Sequence, residues 1–201
     1  MSDLFEWAFL IGLIALEVIR FPHRRRNRLA VRQKRIQSWH ISWWDVLLDM
    51  LAFAGTEVIP LVYIVYPWFN FANYALPIWA GWIGTLIMGA AVALLWKSHT
   101  DLGLNWTPTL QILPEHTLVT KGMYAYIRHP IYAATWLAAL AQALLLANWF
   151  AGLAGLVLFS LVYLVRVPKE ERMMLEQFGT AYQEYLERTG RLIPRLTPKD
   201  K

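Results

Sequence analysis

The chain contains no cysteine. That excludes a disulfide framework, thiolate metal sites and a cysteine nucleophile. Charge is also scarce, at 16% of residues against about a quarter in ordinary soluble domains. No basic residue precedes the first apolar run, and no small-residue cleavage site follows it, so this run is expected to be a retained span rather than a signal peptide. There is no internal repeat, no Gly-rich phosphate loop, and no His cluster with companions at metal-ligand spacing. No metal is expected.

What is present is hydrophobic: 57% of the residues, with 11 Trp. These residues do not lie in amphipathic stripes. They form runs of about 20 residues, the length that crosses a bilayer as a helix. Five spans are expected, near residues 4–21, 44–66, 75–96, 132–147 and 149–167. The third has no charged residue between Ile78 and Trp96. The second carries Asp45, Asp49 and Glu57 and is expected to face other helices. The last two meet near Asn148 as a tight hairpin.

Basic residues test this count independently. Eight of the 19 lie between Arg20 and Arg35, three between Lys97 and Arg128, and eight from Arg166 onward. Five spans put all of them on one side of the membrane, and positive charge marks the cytoplasmic side. The expectation is an all-α, polytopic membrane protein with about five transmembrane helices. Its N-terminus would lie outside, and an amphipathic helix at 169–187 would lie on the cytoplasmic face. The run from Arg24 to Arg35 is expected to set topology and to contact anionic lipid, not nucleic acid. Met173, Met174, Phe178, Tyr182 and Tyr185 at helical spacings are expected to pack, and Gly190 to end the helix.

Two polar clusters interrupt the apolar pattern. The first runs through His116-Thr-Leu-Val119, Gly122, Tyr124 and Arg128-His-Pro-Ile-Tyr132. Pro130 suits the first turn of a helix because it lacks the N–H that would go unpaired there. Backbone N–H groups at such an end favour an anionic ligand group. The second is Arg166-Val-Pro-Lys-Glu170-Glu171. Arg166 and Glu170 share one face of a continuous helix, and Pro168 leaves open a kink or a restart between them.

These blocks, together with Phe178-Gly179, Tyr182, Tyr185 and Arg191-Leu-Ile-Pro194, resemble the isoprenylcysteine carboxyl methyltransferase family. The likeness runs over roughly 101–194. It implies a cofactor-binding catalytic half in 97–201, behind N-terminal spans in 1–96, within the single membrane domain, 1–201, expected from length and composition. It also implies S-adenosyl-L-methionine as cofactor. By position, the resemblance assigns cofactor contacts to His116, Thr117, Leu118, Val119, Tyr124, His129, Pro130, Ile131, Tyr132 and Glu170. It makes Arg166 the catalytic and substrate-binding arginine. The sequence departs from the family pattern at Ala133, where Gly occurs, and at Thr109, where a glutamine is expected; Gln111 would replace that glutamine only with a shifted loop.

The implied acceptor is lipid-soluble, with an isoprenylcysteine-type carboxylate leading. A carboxylate is already ionised at neutral pH and needs orientation rather than a base, which an arginine fork supplies. A phospholipid amine is the alternative acceptor and would need a proton acceptor. A nicotinamide-dependent membrane reductase and a non-catalytic lipid-binding protein are the competing classes.

Overall fold

The computed structural model describes residues 2–32, 38–39, 42–103, 111–112 and 117–195. Seven helices dominate it. α1 runs from Ser2 to Arg32 with Pro22 inside it. α2 (Trp43–Phe53), a π-helical turn (Ala54–Val58) and α3 (Ile59–Val65) make one continuous rod. α4 is Ile78–Leu102, α5 Pro130–Leu146, α6 Ala151–Phe178 and α7 Thr180–Arg188. The described strands are one antiparallel pair of two residues each, Ser38–Trp39 against Gln111–Ile112.

Five rods stand where the spans are expected. Three are long and apolar enough to cross a membrane: Trp43–Val65, Ile78–Leu102 and Ala151–Phe178. α5 is apolar but has 17 residues, and α1 carries Glu6, Glu17 and Arg20 within its expected span. The outward faces are apolar: Ile11, Ile14 and Val18 on α1, Leu86 on α4, and Val157, Leu161 and Leu164 on α6 are exposed. In water that surface would be a liability; against lipid tails it is matched.

α5 sits at the centre, packed on α4 and α6, while α1 leans on α4 and α5, and the α2–α3 rod lies along α6. The core joins Phe9, Leu13 and Leu16 of α1 to Met88 and Leu95 of α4 and Ala134, Ala141, Leu145 and Leu146 of α5. Alanine lets α5 approach its neighbours closely, which is how helices pack where lipid removes the hydrophobic drive.

The hairpin expected at Asn148 is present, and the structure supplies its cause. Ala147 takes a left-handed conformation (φ 44°). The fully buried Asn148 accepts from the N–H groups of Phe150 and Ala151 at 2.9 Å and donates to Phe69 O at 2.7 Å and Asn73 Oδ1 at 2.6 Å. One side chain thus caps α6 and ties the hairpin to the loop between α3 and α4.

Two expectations need correction. The helix of the fifth span does not end near Val167; α6 passes through Pro168 and continues to Phe178. The amphipathic segment is therefore not one helix but the last turns of α6 followed by α7. The break falls at Gly179, whose φ of 52° and ψ of −126° suit a residue without Cβ.

Candidate active site

The segment before α5 is held by the chain's C-terminal part. Ile127 and Gly190 form a parallel bridge, Arg128 N–H donates to Gly190 O at 2.8 Å, and His129 N–H donates to Arg191 O at 3.1 Å. The N–H groups of residues 128 and 129 are thus committed within the protein. Side chains reinforce the junction. Arg128 Nε reaches Glu171 Oε1 at 3.2 Å, its Nη1 reaches Leu186 O at 3.2 Å, and it also bonds Thr189 O. Glu171 also takes His129 Nε2 at 3.2 Å and both Nε and Nη2 of Arg191.

Gly122 opens the short 3₁₀ turn that presents Tyr124. Its φ is 62°, and a Cβ there would run into the Asp101 carboxylate. Asp101 in turn accepts the Met123 N–H at 2.8 Å and pairs with Lys97. The buried Tyr185 donates its hydroxyl to Tyr124 O at 2.6 Å. Burial pushes the Tyr124 and Tyr182 phenols up and Tyr185 to about 12, so all three remain protonated donors at neutral pH.

Across from this junction, Glu170 Oε1 accepts from Tyr132 Oη at 2.6 Å and from Arg166 Nε at 3.1 Å. His129 Nδ1 lies 3.7 Å from its other oxygen. Arg166 and Glu170 therefore do share a face, and Pro168 neither kinks them apart nor restarts the helix. Arg166 Nη1 is bound by Asp49 of α2, and Lys169 by the buried Asp45 at 2.8 Å. Two of the second span's acids, Asp45 and Asp49, thus bond to protein, as expected, and fasten α2 to α6.

All of this surrounds one cavity of about 480 Å³. Thr117, Leu118, Val119, Tyr124, His129, Pro130, Ile131, Tyr132, Arg166 and Glu170 line it. The structure thus brings together every site residue read from the sequence except His116, which lies outside the described residues, as does Thr109.

Several lining residues were missed. Met173, Met174, Tyr182 and Tyr185, expected only to pack, face the cavity. So do Asp49 and Glu57 from the second span and Arg20 and Arg24 from the first. Arg24 belonged to the run expected to set topology and to contact anionic lipid. The signal was present: Glu17, Arg20 and Arg24 lie at i, i+3 and i+7, one face of a helix. Glu171, which holds the junction without lining the cavity, was passed over beside Glu170.

Comparison with known proteins bears on this arrangement. Residues 82–176 match the model of the isoprenylcysteine carboxyl methyltransferase (ICMT) family. The resemblance carried by the two motif blocks is thereby shown, and the matched segment runs from α4 into the last turns of α6. Protein-S-isoprenylcysteine O-methyltransferase of Schizosaccharomyces pombe is 38% identical over 86 residues, covering 41% of this chain and 35% of that protein. Methanethiol S-methyltransferase 2 of Bradyrhizobium diazoefficiens is 26% identical over 94% of this chain and 74% of its own. The solved structure of the eukaryotic intramembrane Ras methyltransferase ICMT superposes with a TM-score of 0.54 at 22% identity. It covers 79% of this chain and 54% of that one. The chain covers well under two thirds of the S. pombe protein's length. The fold is that of an all-α, multi-pass integral membrane protein.

Proposed function

We propose that this protein is an integral membrane methyltransferase that uses S-adenosyl-L-methionine and methylates a lipophilic acceptor, with an isoprenylcysteine-type carboxylate in the lead. The observation that carries this reading is the single cavity, which gathers both ICMT-like blocks around one space. Its volume is in the range of small-molecule sites. Its walls suit the donor's parts. Leu118, Val119 and Ile131 offer apolar surface for a nucleobase, while Tyr132 and Glu170 offer a π face and negative charge for a cation.

Bound there, the cofactor supplies an electrophilic methyl group on a sulfonium whose charge vanishes on transfer. The protein's part is alignment and exclusion of water. Arg166 lies buried between Asp49 and Glu170. Asp49, with its side chain 41% exposed, is the partner that an acceptor carboxylate displaces on the guanidinium. In this reading residues 97–201 hold the cofactor and 1–96 face the acceptor. The same reading assigns the basic loops and α7, whose buried Tyr182 and Tyr185 line the cavity, to the cytoplasmic side.

A thiol acceptor is the second reading, favoured by the near full-length similarity to the B. diazoefficiens methanethiol S-methyltransferase. Calorimetry on the detergent-purified protein with S-adenosylhomocysteine and NADPH tests the class. The first is expected to bind at micromolar affinity; binding of only the second overturns the reading. Labelled methyl donor offered with S-farnesylcysteine, phosphatidylethanolamine and methanethiol then ranks the acceptors. Glu170→Ala is expected to weaken cofactor binding, and Arg166→Ala to lower turnover of a carboxylate acceptor with cofactor affinity retained. Equal loss of cofactor affinity in both variants refutes that division.

A further inference from the structure

The cavity has a polar wall outside the family-matched segment, and one of its acids carries a proton. Glu57, on the π-helical turn between α2 and α3, lines the cavity and has the Glu17 carboxyl of α1 as its side-chain partner. Ionised carboxylates only accept hydrogen bonds, so two of them can bond only across a proton. Glu17 already accepts from Arg20 Nη1 at 3.1 Å and from Arg24 Nη1 at 2.6 Å. Two guanidinium groups thus fix the charge on Glu17, and the proton belongs to Glu57, which donates it to Glu17. The wall then sets two arginines against one carboxylate, and both arginines line the cavity.

Acids within a membrane span are costly and mark function. This one is held in place. Turns of the π type recur at functional sites. Here the buried Gln142 donates to Gly55 O at 2.9 Å and to Ala151 O at 2.6 Å, locking the turn against α5 and α6. On the α6 side, Gly55 lies against Ala154 and Leu158. The charged groups that face Glu57 come from α1: Glu17, Arg20 and Arg24. α5 brings Thr135, which accepts from Arg20 Nη2 at 3.3 Å. His99 of α4, stacked on His23 at 4.3 Å, lines the cavity beside the same arginines.

Methyl acceptors differ in whether they must lose a proton. A carboxylate need not, and the Arg166–Asp49 end of the cavity, about two turns from Glu57 along the rod, serves it. A thiol must, because the thiolate is the nucleophile. An ammonium must as well, but a wall with surplus positive charge repels it. We propose that Glu57 is the proton acceptor for methylation of a thiol in this cavity. The assignment rests on the thiol reading above.

The step balances. The S–H proton moves to an ionised Glu57 carboxylate, where it is shared with Glu17. The negative charge left on sulfur faces Arg20 and Arg24. That sulfur bonds to the donor's methyl carbon while the methyl–sulfonium bond breaks, its electron pair returning to the donor sulfur. A neutral thioether and S-adenosylhomocysteine result. Water then takes the proton from Glu57 before the next turnover. A proton taken by His99 instead would add a third cation beside the arginines; on Glu57 it adds none.

Glu57→Gln tests this on the full chain in detergent. The glutamine amide still donates to Glu17, so the tie between α1 and the rod is kept and only the proton acceptor is lost. General-base catalysis contributes about 10²–10⁴-fold. With methanethiol and a labelled methyl donor, kcat is expected to fall by about 100-fold or more, with the affinity for S-adenosylhomocysteine retained by calorimetry. A smaller fall overturns the proposal. So does an equal fall with N-acetyl-S-farnesylcysteine, which offers a carboxylate and neither thiol nor amine. Should Glu57→Gln not yield folded protein, Glu17→Gln removes the anion that receives the Glu57 proton. It is expected to lower kcat for methanethiol by about tenfold, the worth of one charged hydrogen bond, and an unchanged kcat overturns the proposal. Wild-type protein that binds S-adenosylhomocysteine but methylates no thiol overturns it too. Wild-type protein that does not bind S-adenosylhomocysteine overturns the methyltransferase reading itself, before any variant is made.

Discussion

Consider replacing Glu171 with glutamine. Its carboxylate collects Arg128 Nε and His129 Nε2 at 3.2 Å and the fork of Arg191. The side chains of Arg128 and Glu171 are 9% and 10% exposed. Breaking a buried pair by removing one charge costs about 3–5 kcal/mol, because the other charge is left unpaired. Arg128 retains the carbonyls of Leu186 and Thr189, so the low end applies, about 3 kcal/mol. Arg191 adds little. It is 47% exposed, and pairs in that setting contribute about 0–1 kcal/mol. For a chain of this length about 1 kcal/mol moves the unfolding midpoint by 2–4 °C, so Glu171→Gln is expected to lower it by about 6–12 °C in a detergent thermal scan. Arg191→Gln serves as the control, with a shift under about 4 °C. If Glu171→Gln moves the midpoint by less than the control does, the junction does not depend on the Arg128 pair and the reasoning fails.

Gln142→Leu leaves Gly55 O and Ala151 O without their donor and is expected to cost about 1–2 kcal/mol. Faster amide exchange in the Ala54–Val58 turn, with other spans unchanged, is the signature; uniform exchange across the rod contradicts it. Gly179→Ala meets no atom within 4 Å, so its cost is the backbone's alone, about 1–3 kcal/mol. A thermal midpoint equal to wild type would show that the break between α6 and α7 tolerates a side chain. The Tyr185 phenol is raised to about 12 from 10. The folded state therefore holds a proton that the unfolded state releases, and stability falls as pH rises between those values. Tyr185→Phe is expected to flatten that fall in scans from pH 9 to 12, and an unchanged slope counts against the assignment.

Periodicity and charge placement made five rods legible, because a run such as Ile78–Trp96 has no competing structure in lipid. The motif residues were legible because they are contiguous in sequence: Thr117–Val119, His129–Tyr132 and the Arg166/Glu170 pair each reach the cavity from a single turn or loop. The wall from the N-terminal helices was not, since Arg20, Arg24 and Glu57 come from separate elements with no local pattern that says they meet. Their pairing is a tertiary fact, fixed by α1 lying on α4 and α5. The break at Gly179 was hidden for another reason. Polar, helix-favouring residues on both sides gave no change of pattern, and only the glycine's φ marks the corner.

The continuity of α6 has a mechanical consequence. At 28 residues it is about 42 Å long, some 12 Å more than the hydrocarbon core of a bilayer. The surplus, about eight residues, carries Glu171, Met173 and Met174, with Glu170 at its edge, on the same rod whose other end is anchored by Asn148. A thinner or thicker bilayer changes the tilt of such a rod. The depth at which Glu170 meets Tyr132 is thus coupled to the acyl-chain length of the lipid around it, and the membrane itself becomes a setting of the site.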